Sequence, residues 1–464
     1  MKGKPCVLAL ICLVAMVAQM QAQESQPAGM RSGAAIDGRY FGFVPKHERI
    51  LQDRNIQVPV TEVTSSVERQ TRTADTSAVL QASYEQIMGS APSEEIVTSV
   101  SDCGCVGACT GTCRTGPIFQ LWGGAEYLNW TIDGADYPSL ATTSPDGTAQ
   151  DAAGVLPNAT TLFGGSIFDE RSGGRYRLGM WLNPSRTAGL EVSFLSLDDD
   201  VSFARSTDDQ SILARPFFNA DINSEDARLI AFPDLVEGTL AISAVSDFES
   251  FNLQLRKCFS TAYGARSDLL FGYRRASLDE AIRIVESTTS LTGATQGTSF
   301  DLFDQFVTEN EFHGGEFGLQ YEGPACGCWT LGLLGKVALG NTQSRVAVSG
   351  QTTTTSPTGD VTTNDGGLLT QQTNIGTVSG DEFSTLAEFG ITLRRQFQCG
   401  FGISIGYSLL HWSEVAMAGD QIDRNVNPTQ IPPGSLDGPA VPALPFARGD
   451  FTAHGITAGL EYSF

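Results

Sequence analysis

About ten segments of the chain alternate apolar residues with small or polar ones, and this pattern constrains the fold more than any other feature. Alternation with a period of two places successive side chains on opposite faces of a β-strand. The predicted strands are residues 117–130, 174–183, 188–205, 247–259, 265–286, 310–322, 326–348, 382–397, 400–412 and 451–464. The last strand keeps its pattern to Phe464, although the final residues of a soluble domain usually fray.

Short turns and long loops alternate strictly between these segments. The short turns are residues 183–187, 260–264, 323–325 and 398–399, and the long loops are residues 131–173, 206–246, 287–309, 349–381 and 413–450. Tight turns at one end, long loops at the other and an even number of strands are typical of bacterial outer-membrane barrels. We therefore predict an all-β fold, an antiparallel transmembrane β-barrel of about ten strands with long extracellular loops and short periplasmic turns. Closure of a barrel also explains a patterned last strand, which pairs with the first strand.

One face of each strand is predicted to contact lipid. These rows are Tyr176, Leu178, Met180 and Leu182; Leu190, Val192 and Phe194; Phe251, Leu253 and Leu255; Phe317, Leu319 and Tyr321; Trp329, Leu331 and Leu333; Phe389, Ile391 and Leu393; Phe401, Ile403, Ile405 and Tyr407; and His454, Ile456, Ala458, Leu460, Tyr462 and Phe464. A soluble β-sandwich produces the same alternation. The five tryptophans, Trp122, Trp130, Trp181, Trp329 and Trp412, lie toward strand ends, as expected of aromatic girdles at the two membrane interfaces, and they favour the barrel.

The N-terminal region indicates export. Lys2 and Lys4 precede an apolar run at residues 7–18 and small residues near Ala22, which predicts a signal peptide at residues 1–22. Cys12 lies inside the apolar run and is a poor lipid-attachment site. Residues 23–116 lack the strand pattern and are predicted to form a partly disordered periplasmic extension with a cysteine-rich end and one helix near residues 74–88; residues 117–464 form the barrel. The net charge of −23 argues against a nucleic-acid partner.

Charged residues alternate with the lipid-facing rows and are predicted to line the lumen. They are Arg175, Arg177, Glu191, Arg256, Arg274, Glu316, Lys336, Glu388, Arg394 and Glu461. Eight strands leave room only for side chains, whereas aqueous channels are typical of sixteen or more. A ten-stranded barrel with both signs of charge inside is therefore expected to be a narrow or gated pore or, alternatively, a barrel plugged by salt bridges. The acidic run at residues 198–200 is expected to be solvated, since its spacing is not that of a calcium loop.

Eight cysteines remain when Cys6 and Cys12 are removed with the signal peptide. Cys103, Cys105, Cys109 and Cys113 precede the first strand, and Cys258, Cys326, Cys328 and Cys399 lie at or beside the short turns. An even number in an oxidising compartment predicts disulfides. They would staple the N-terminal segment across the barrel mouth or pair locally within each group. The spacing of the first group fits a zinc site poorly.

Several stretches resemble the putative beta-barrel porin seven family. They are AEYLNWTIDGADYPSLATTSP, GGRYRLGMWLNPSRTAGLEVSFL, FGYRRASLDEAIRI, NEFHGGEFGLQYE, LLGKVALGNTQSRVAVSG and GYSLLHWSEVAMAGDQIDRNVNPTQIP, together with the closing strand. The resemblance covers residues 117–464 in order and implies an outer-membrane barrel with an inferred transport function. Tyr462 and Phe464 also resemble the C-terminal signal of outer-membrane proteins, which implies insertion by the barrel-assembly machinery into outer-membrane lipid.

An enzyme and a surface protein are the alternatives to a pore. His313, His411 and His454 fall near the loop-side strand ends and are interpreted as interfacial aromatics rather than catalytic bases. No nucleophile-elbow, zinc-protease or phosphate-loop motif stands out, so we expect no catalytic residue, metal or cofactor. A structural or adhesive surface protein that uses its long loops has the same predicted fold. The sequence leaves the transported solute and the oligomeric state open.

Overall fold

Ten antiparallel strands close into a barrel. The computed structural model describes residues 120–133, 136–166, 170–207, 211–325, 328–397 and 400–463. The barrel strands are β1 (Gln120–Asp133), β4 (Arg171–Trp181), β5 (Ala188–Thr207), β8 (Val236–Ala262), β9 (Ala265–Ser290), β10 (Ser299–Pro324), β11 (Trp329–Thr355), β13 (Gly376–Gln396), β14 (Phe401–Val415) and β16 (Gly449–Ser463). Each strand pairs with the next in this order, and β16 pairs with β1 to complete the ring. The predicted all-β barrel and its ten strands are confirmed.

The long connections contain a second sheet that was predicted as loop. Its strands are β2 (Asp136–Thr143), β3 (Thr160–Ser166), β6 (Leu213–Asn219), β7 (Ser224–Ala231) and β15 (Asn425–Val426). Their order is β15–β6–β2–β3, with β7 paired to β6. A further strand, β12 (Val361–Asp365), extends the edge of β11, and short 3-10 helices lie at Gln150–Ala152, Gly293–Thr295, Gly419–Gln421 and Pro428–Gln430. No helix among the described residues is long and apolar enough to cross a membrane.

The four longest strands are much longer than a membrane span and project far from the short turns toward the loop end. Strands β8 and β11 have 27 residues, and β9 and β10 have 26, whereas about 9–11 residues suffice to cross a bilayer. The predicted loop at residues 287–309 therefore shrinks to residues 291–298, between the ends of β9 and β10. Their distal halves form walls against which the second sheet packs: Leu140, Leu213 and Phe217 of the sheet share one buried core with Ile242, Ile282 and Phe306 of the walls.

The outer surface near the short turns is an apolar belt. The predicted outward rows lie there, and Leu178, Phe317, Ile391, Ile405 and Ile456 are among the exposed side chains. Farther from the turns the outer face becomes charged, with exposed ion pairs between Arg275 and Glu311 and between Arg345 and Glu309. The boundary is marked by two tyrosine–histidine pairs: Tyr273 Oη lies 2.5 Å from His313 Nδ1, and Tyr407 Oη lies 2.7 Å from His454 Nδ1.

The predicted tryptophan girdle is wrong for four of the five residues. Trp130 and Trp412 are fully buried inside the barrel, and Trp122 and Trp181 line a cavity at the turn end. The reason is the two-residue period of the strands: Tyr127 of β1 faces outward, so the even-numbered positions of β1 face inward. Trp329 alone lies in an outward row, with the Arg395 guanidinium 6.0 Å from its ring.

Candidate functional site in the barrel lumen

The ten charged residues predicted to line the lumen are all brought together near the turn end of the barrel. At the centre is the Glu388 carboxylate, which lies 2.9 Å from Arg175 Nη2, 2.9 Å from Arg274 Nη1 and 3.1 Å from Lys336 Nζ. The neighbouring Glu316 lies 3.1 Å from Arg274 Nη1 and accepts a hydrogen bond of 2.7 Å from Asn252 Nδ2. Only a network in which each charge has several partners offsets the cost of burying so many ions.

A second group of ion pairs continues toward the short turns. Arg177 Nη2 lies 3.0 Å from Glu461 Oε1, and Arg394 Nε lies 2.8 Å from Glu461 Oε2. Glu322 joins Arg394 to Arg256, with both distances at 3.2 Å. Glu191 contributes only a loose contact, 3.9 Å from Arg256 Nη1.

Sequence reasoning missed three carboxylates and one arginine of this network. Glu126 pairs with Arg177, Glu322 pairs with Arg394, and Asp268 pairs with Arg256 and with Arg266. The predicted set contains six cations and four carboxylates. With the four additional residues, the network contains seven cations and seven carboxylates. Strand parity was the available signal, because Glu126 lies two residues before the inward-facing Leu128.

An aromatic layer lies above the charged network and closes the lumen. Trp130, Trp412, Phe248, Phe312 and Phe451 are at most 1% exposed. The Phe248 and Phe451 ring centroids are 5.2 Å apart, and these residues belong to β8 and β16, the fourth and tenth strands around the ring. Side chains from nearly opposite walls therefore meet across the full width of the barrel. Trp412 Nε1 donates a 3.0 Å hydrogen bond to Thr342 Oγ1, which fixes its ring in the layer.

The segment that follows β14 plugs the loop-side mouth. Asn310 Nδ2 donates to the Ala416 carbonyl at 2.8 Å, and the Ala416 amide donates back to Asn310 Oδ1 at 2.9 Å. The Ala418 amide donates to Glu280 Oε2 at 3.0 Å. Asn310 is 1% exposed, so these bonds hold the segment inside the mouth rather than on its rim.

Arg215 of β6 connects the second sheet to the barrel wall. Its Nη1 lies 3.0 Å from Glu286 Oε2 and its Nη2 lies 2.6 Å from Asp304 Oδ2. Asp304 also accepts hydrogen bonds from the backbone amides of Leu369 and Thr370, at 3.0 and 2.9 Å. Because Arg215 is 1% exposed, its contacts with the two carboxylates are desolvated, and charge-assisted hydrogen bonds of this kind are strong.

Two ionisable groups near this mouth are perturbed by their surroundings. Burial, followed by the negative charge of Glu280, raises the pKa of Tyr137 well above its ordinary value. Burial, followed by Glu280 and Asp136, also raises the pKa of Asp420. Acidic groups therefore repel one another where the second sheet meets the barrel.

Two cavities lie in or beside the charged network. One of about 50 Å³ lies within it and touches Glu126, Arg175 and Glu388. The other, of about 180 Å³, lies at the turn end and touches Trp122, Trp181 and Arg394. The smaller one holds only a few water molecules, and the aromatic layer separates both cavities from the second sheet.

The histidines lie at the edge of the belt rather than in a cleft. His313 Nε2 is 3.3 Å from Glu311, and His454 Nε2 is 3.3 Å from Asp133. His411 Nδ1 lies 3.0 Å from Thr452 Oγ1. In the part of the chain that the structure describes, no group of three or more His, Cys, Asp or Glu side chains is arranged to hold a metal ion.

Most of the cysteine hypothesis falls outside the described residues. Cys258 and Cys328 lie at the turn end, beside the β8–β9 and β10–β11 connections, and Cys258 Sγ is 3.7 Å from the Ser260 carbonyl. The signal peptide, the extension and Phe464 lie outside the described residues, as do Cys103, Cys105, Cys109, Cys113, Cys326 and Cys399. The disulfide staple stays a prediction.

Comparison with known proteins gives one family match. The family model described as putative beta barrel porin-7 matches residues 122–464. Among solved structures, the outer membrane protease OmpT from Escherichia coli is 7% identical over 75% of this chain and 95% of that chain, with a TM-score of 0.33. The toluene transporter TodX of P. putida is 9% identical over 74% and 89%, with a TM-score of 0.17. No curated protein matches. By the family match over most of its length, the chain belongs to the putative beta barrel porin-7 family.

Proposed function

We propose that the protein is an outer-membrane barrel whose lumen is closed by its own side chains and which holds a folded sheet at the bacterial cell surface. The aromatic layer carries this proposal. Phe248, Trp412 and Phe451 come from different walls and contact one another at ring-centroid distances of 5.2 and 6.2 Å. Because they are barrel residues rather than loop residues, movement of the loops alone does not open the lumen.

The outer surface supports the proposed placement in the membrane. The apolar belt surrounds the turn-side part of the barrel, and the tyrosine–histidine pairs lie at its loop-side edge. Aromatic residues prefer that interface. Short turns face the periplasm in barrels of this kind, so the second sheet lies on the extracellular side. Outer-membrane lipid and the barrel-assembly machinery are then the expected partners.

A narrow, gated channel is the second candidate. The porin description of the family and the 180 Å³ polar cavity at the turn end favour it. Conduction in that case requires Trp130, Trp412 and the phenylalanines to leave the lumen. We assign no catalytic role to His313 or His454, because both are hydrogen-bonded to tyrosines on the outer face.

Single-channel recording separates the two candidates. The mature protein is folded into planar bilayers, with folding checked by heat-modifiable migration on gels. The wild type should give no discrete current steps. The Trp130→Ala, Trp412→Ala, Asn310→Ala triple variant should conduct, because it removes two of the largest side chains of the seal and the side chain that holds the plugging segment in the mouth. Trp329→Ala, on the outer face, is the matched control and should stay silent. Reproducible steps from the wild type would contradict the closed barrel and favour the gated channel.

A further inference from the structure

The turn-end cavity of about 180 Å³ has a wall of unusual charge. Five arginines line it against two carboxylates, Glu322 and Glu461. The chain as a whole contains 29 basic and 52 acidic residues, so the lining is unusually rich in arginine for this protein, although Asp268 and Glu126 also pair with three of these arginines. The lining arginines are Arg177, Arg186, Arg256, Arg266 and Arg394.

These guanidinium groups are held in place before any ligand arrives. Arg256 and Arg266 lie 5.1 and 4.5 Å from the Trp181 ring centroid. Stacking on an aromatic face orients a guanidinium plane and leaves its edge free to donate. Arg394 is fixed by Glu461 and Glu322. Donors fixed in this way lose little conformational freedom when they bind an anion.

The ion pairs of the wall leave donor capacity unused. Each guanidinium carries five N–H groups. The Arg177 Nε is buried and has no hydrogen-bond partner among the described residues. Arg186 has an uncharged partner, since its Nε donates to Gln120 Oε1 at 2.6 Å. The Arg177 Nε is enclosed and does not reach a ligand in the cavity, so the accessible donors include the remaining N–H groups of the exposed Arg186.

We propose that this cavity binds a small oxyanion that carries carboxylate or phosphate groups and enters from the turn side. Arginine forks match the paired oxygens of both groups. A volume of about 180 Å³ corresponds to roughly six water molecules, which suits a small dicarboxylate or inorganic phosphate. The site lies on the turn side of the aromatic layer, so it is independent of whether the barrel conducts.

Calorimetry on the folded, full-length protein in detergent tests the site. The probes are succinate, inorganic phosphate and a short synthetic peptide that ends in two glutamates, each at constant ionic strength with chloride as the reference anion. Saturable binding of at least one probe is expected. Arg186→Gln should weaken it about tenfold to a hundredfold, which is the effect of losing one charge-assisted hydrogen bond. Binding of the small probes would point to a free solute, and binding of the peptide alone to a carboxylate on a macromolecule.

Matched variants guard against unfolding and non-specific attraction. Arg186 is exposed and has no carboxylate partner among the described residues, so Arg186→Gln should fold. Arg394→Gln also removes two ion pairs and is used only if its gel migration is normal. Arg345→Gln removes an exposed arginine on the outer face and should leave binding unchanged. The proposal is overturned if no probe binds saturably, or if Arg186→Gln binds as tightly as Arg345→Gln.

Discussion

At the scale of single residues, the lumen depends on how each buried charge is shared. Glu388 is 3% exposed and faces Arg175, Arg274 and Lys336. The mutual attraction of a buried pair often only offsets the cost of desolvation, whereas removing one partner leaves an uncompensated charge. The network is therefore much more sensitive to the loss of one member than its net contribution to stability suggests.

Replacing this central carboxylate should be strongly destabilising. Glu388→Gln leaves three buried cations with fewer partners and should lower the free energy of unfolding by about 3–5 kcal/mol. Glu309→Gln is the matched control, since the pair it forms with Arg345 is exposed, and its effect should stay within about 0.5–1 kcal/mol. Urea unfolding in lipid vesicles, followed by tryptophan fluorescence, measures both. Equal midpoints for the two variants would contradict the shared network.

Asp420 should make the loop-side mouth more stable at mildly acidic pH. Burial and the charges of Glu280 and Asp136 raise its pKa, so the folded state binds a proton more tightly than the unfolded chain does. The free energy of unfolding then increases as the pH falls through the raised pKa of the folded state, and it levels off below the ordinary pKa of the unfolded chain. Asp420→Asn should remove this dependence and stabilise the mouth at neutral pH by at most about 1 kcal/mol, since the group keeps contact with solvent. The pH dependence is measured by hydrogen exchange of the Ala416–Ala418 amides at a series of pH values. The same pH profile in Asp420→Asn as in the wild type would show that Asp420 is not its source.

At the scale of elements, the barrel strands could be predicted from the sequence and the second sheet could not. Each barrel strand pairs with a neighbour in chain order or closes the ring, so local alternation and turns suffice to place it. Strands β2 and β6 each contain a proline, Pro138 and Pro216, which argues against a strand in a sequence. They also pair across a long separation, Thr142 with Ala214, and local periodicity carries no information about such pairing.

The residues that line the lumen can be predicted where the alternation of inward-facing and outward-facing positions is followed along each strand. The ten chosen charges lie inside, because each alternates with an apolar outward row. The predicted girdle rests on the position of the tryptophans along the strand instead of on parity, and it therefore puts Trp130 and Trp412 on the wrong side of the wall. Which cation meets which carboxylate depends on the strand order around the ring, and this order brings Arg274 of β9 to Glu388 of β13.

Altering Arg215 should loosen the attachment of the second sheet to the barrel, while the shared apolar core remains. Arg215→Lys keeps the charge but cannot contact Glu286 and Asp304 with a planar fork. The connection between β5 and β8 should then be cut much faster in limited proteolysis, while the barrel keeps its heat-modifiable migration. Arg424→Lys alters a partly exposed pair with Glu225 in the same sheet and should be cut like the wild type. Equal cleavage of Arg215→Lys and Arg424→Lys would show that this contact does not hold the sheet.

At the scale of the whole molecule, the two ends of the barrel have different constructions. The turn end has short connections, the apolar belt and the charged lumen, whereas the loop end has long walls, a second sheet and an apolar core. The aromatic layer between them separates a polar cavity at the turn end from the sheet. This construction supports the proposal of a closed barrel over that of a water-filled channel.

The orientation of this construction in the membrane can be tested with inserted epitopes. Exposed loop tips tolerate insertions, and the β11–β12 turn at residues 357–359 and the β4–β5 turn at residues 184–185 are both exposed. An epitope at residues 357–359 should bind antibody on intact cells if, as we propose, the loop end faces outward. The same epitope at residues 184–185 should bind only after the outer membrane is permeabilised, and both variants must first show normal heat-modifiable migration. Labelling of the β4–β5 turn on intact cells, with the β11–β12 turn protected, would reverse the orientation and place the arginine-lined cavity at the cell surface.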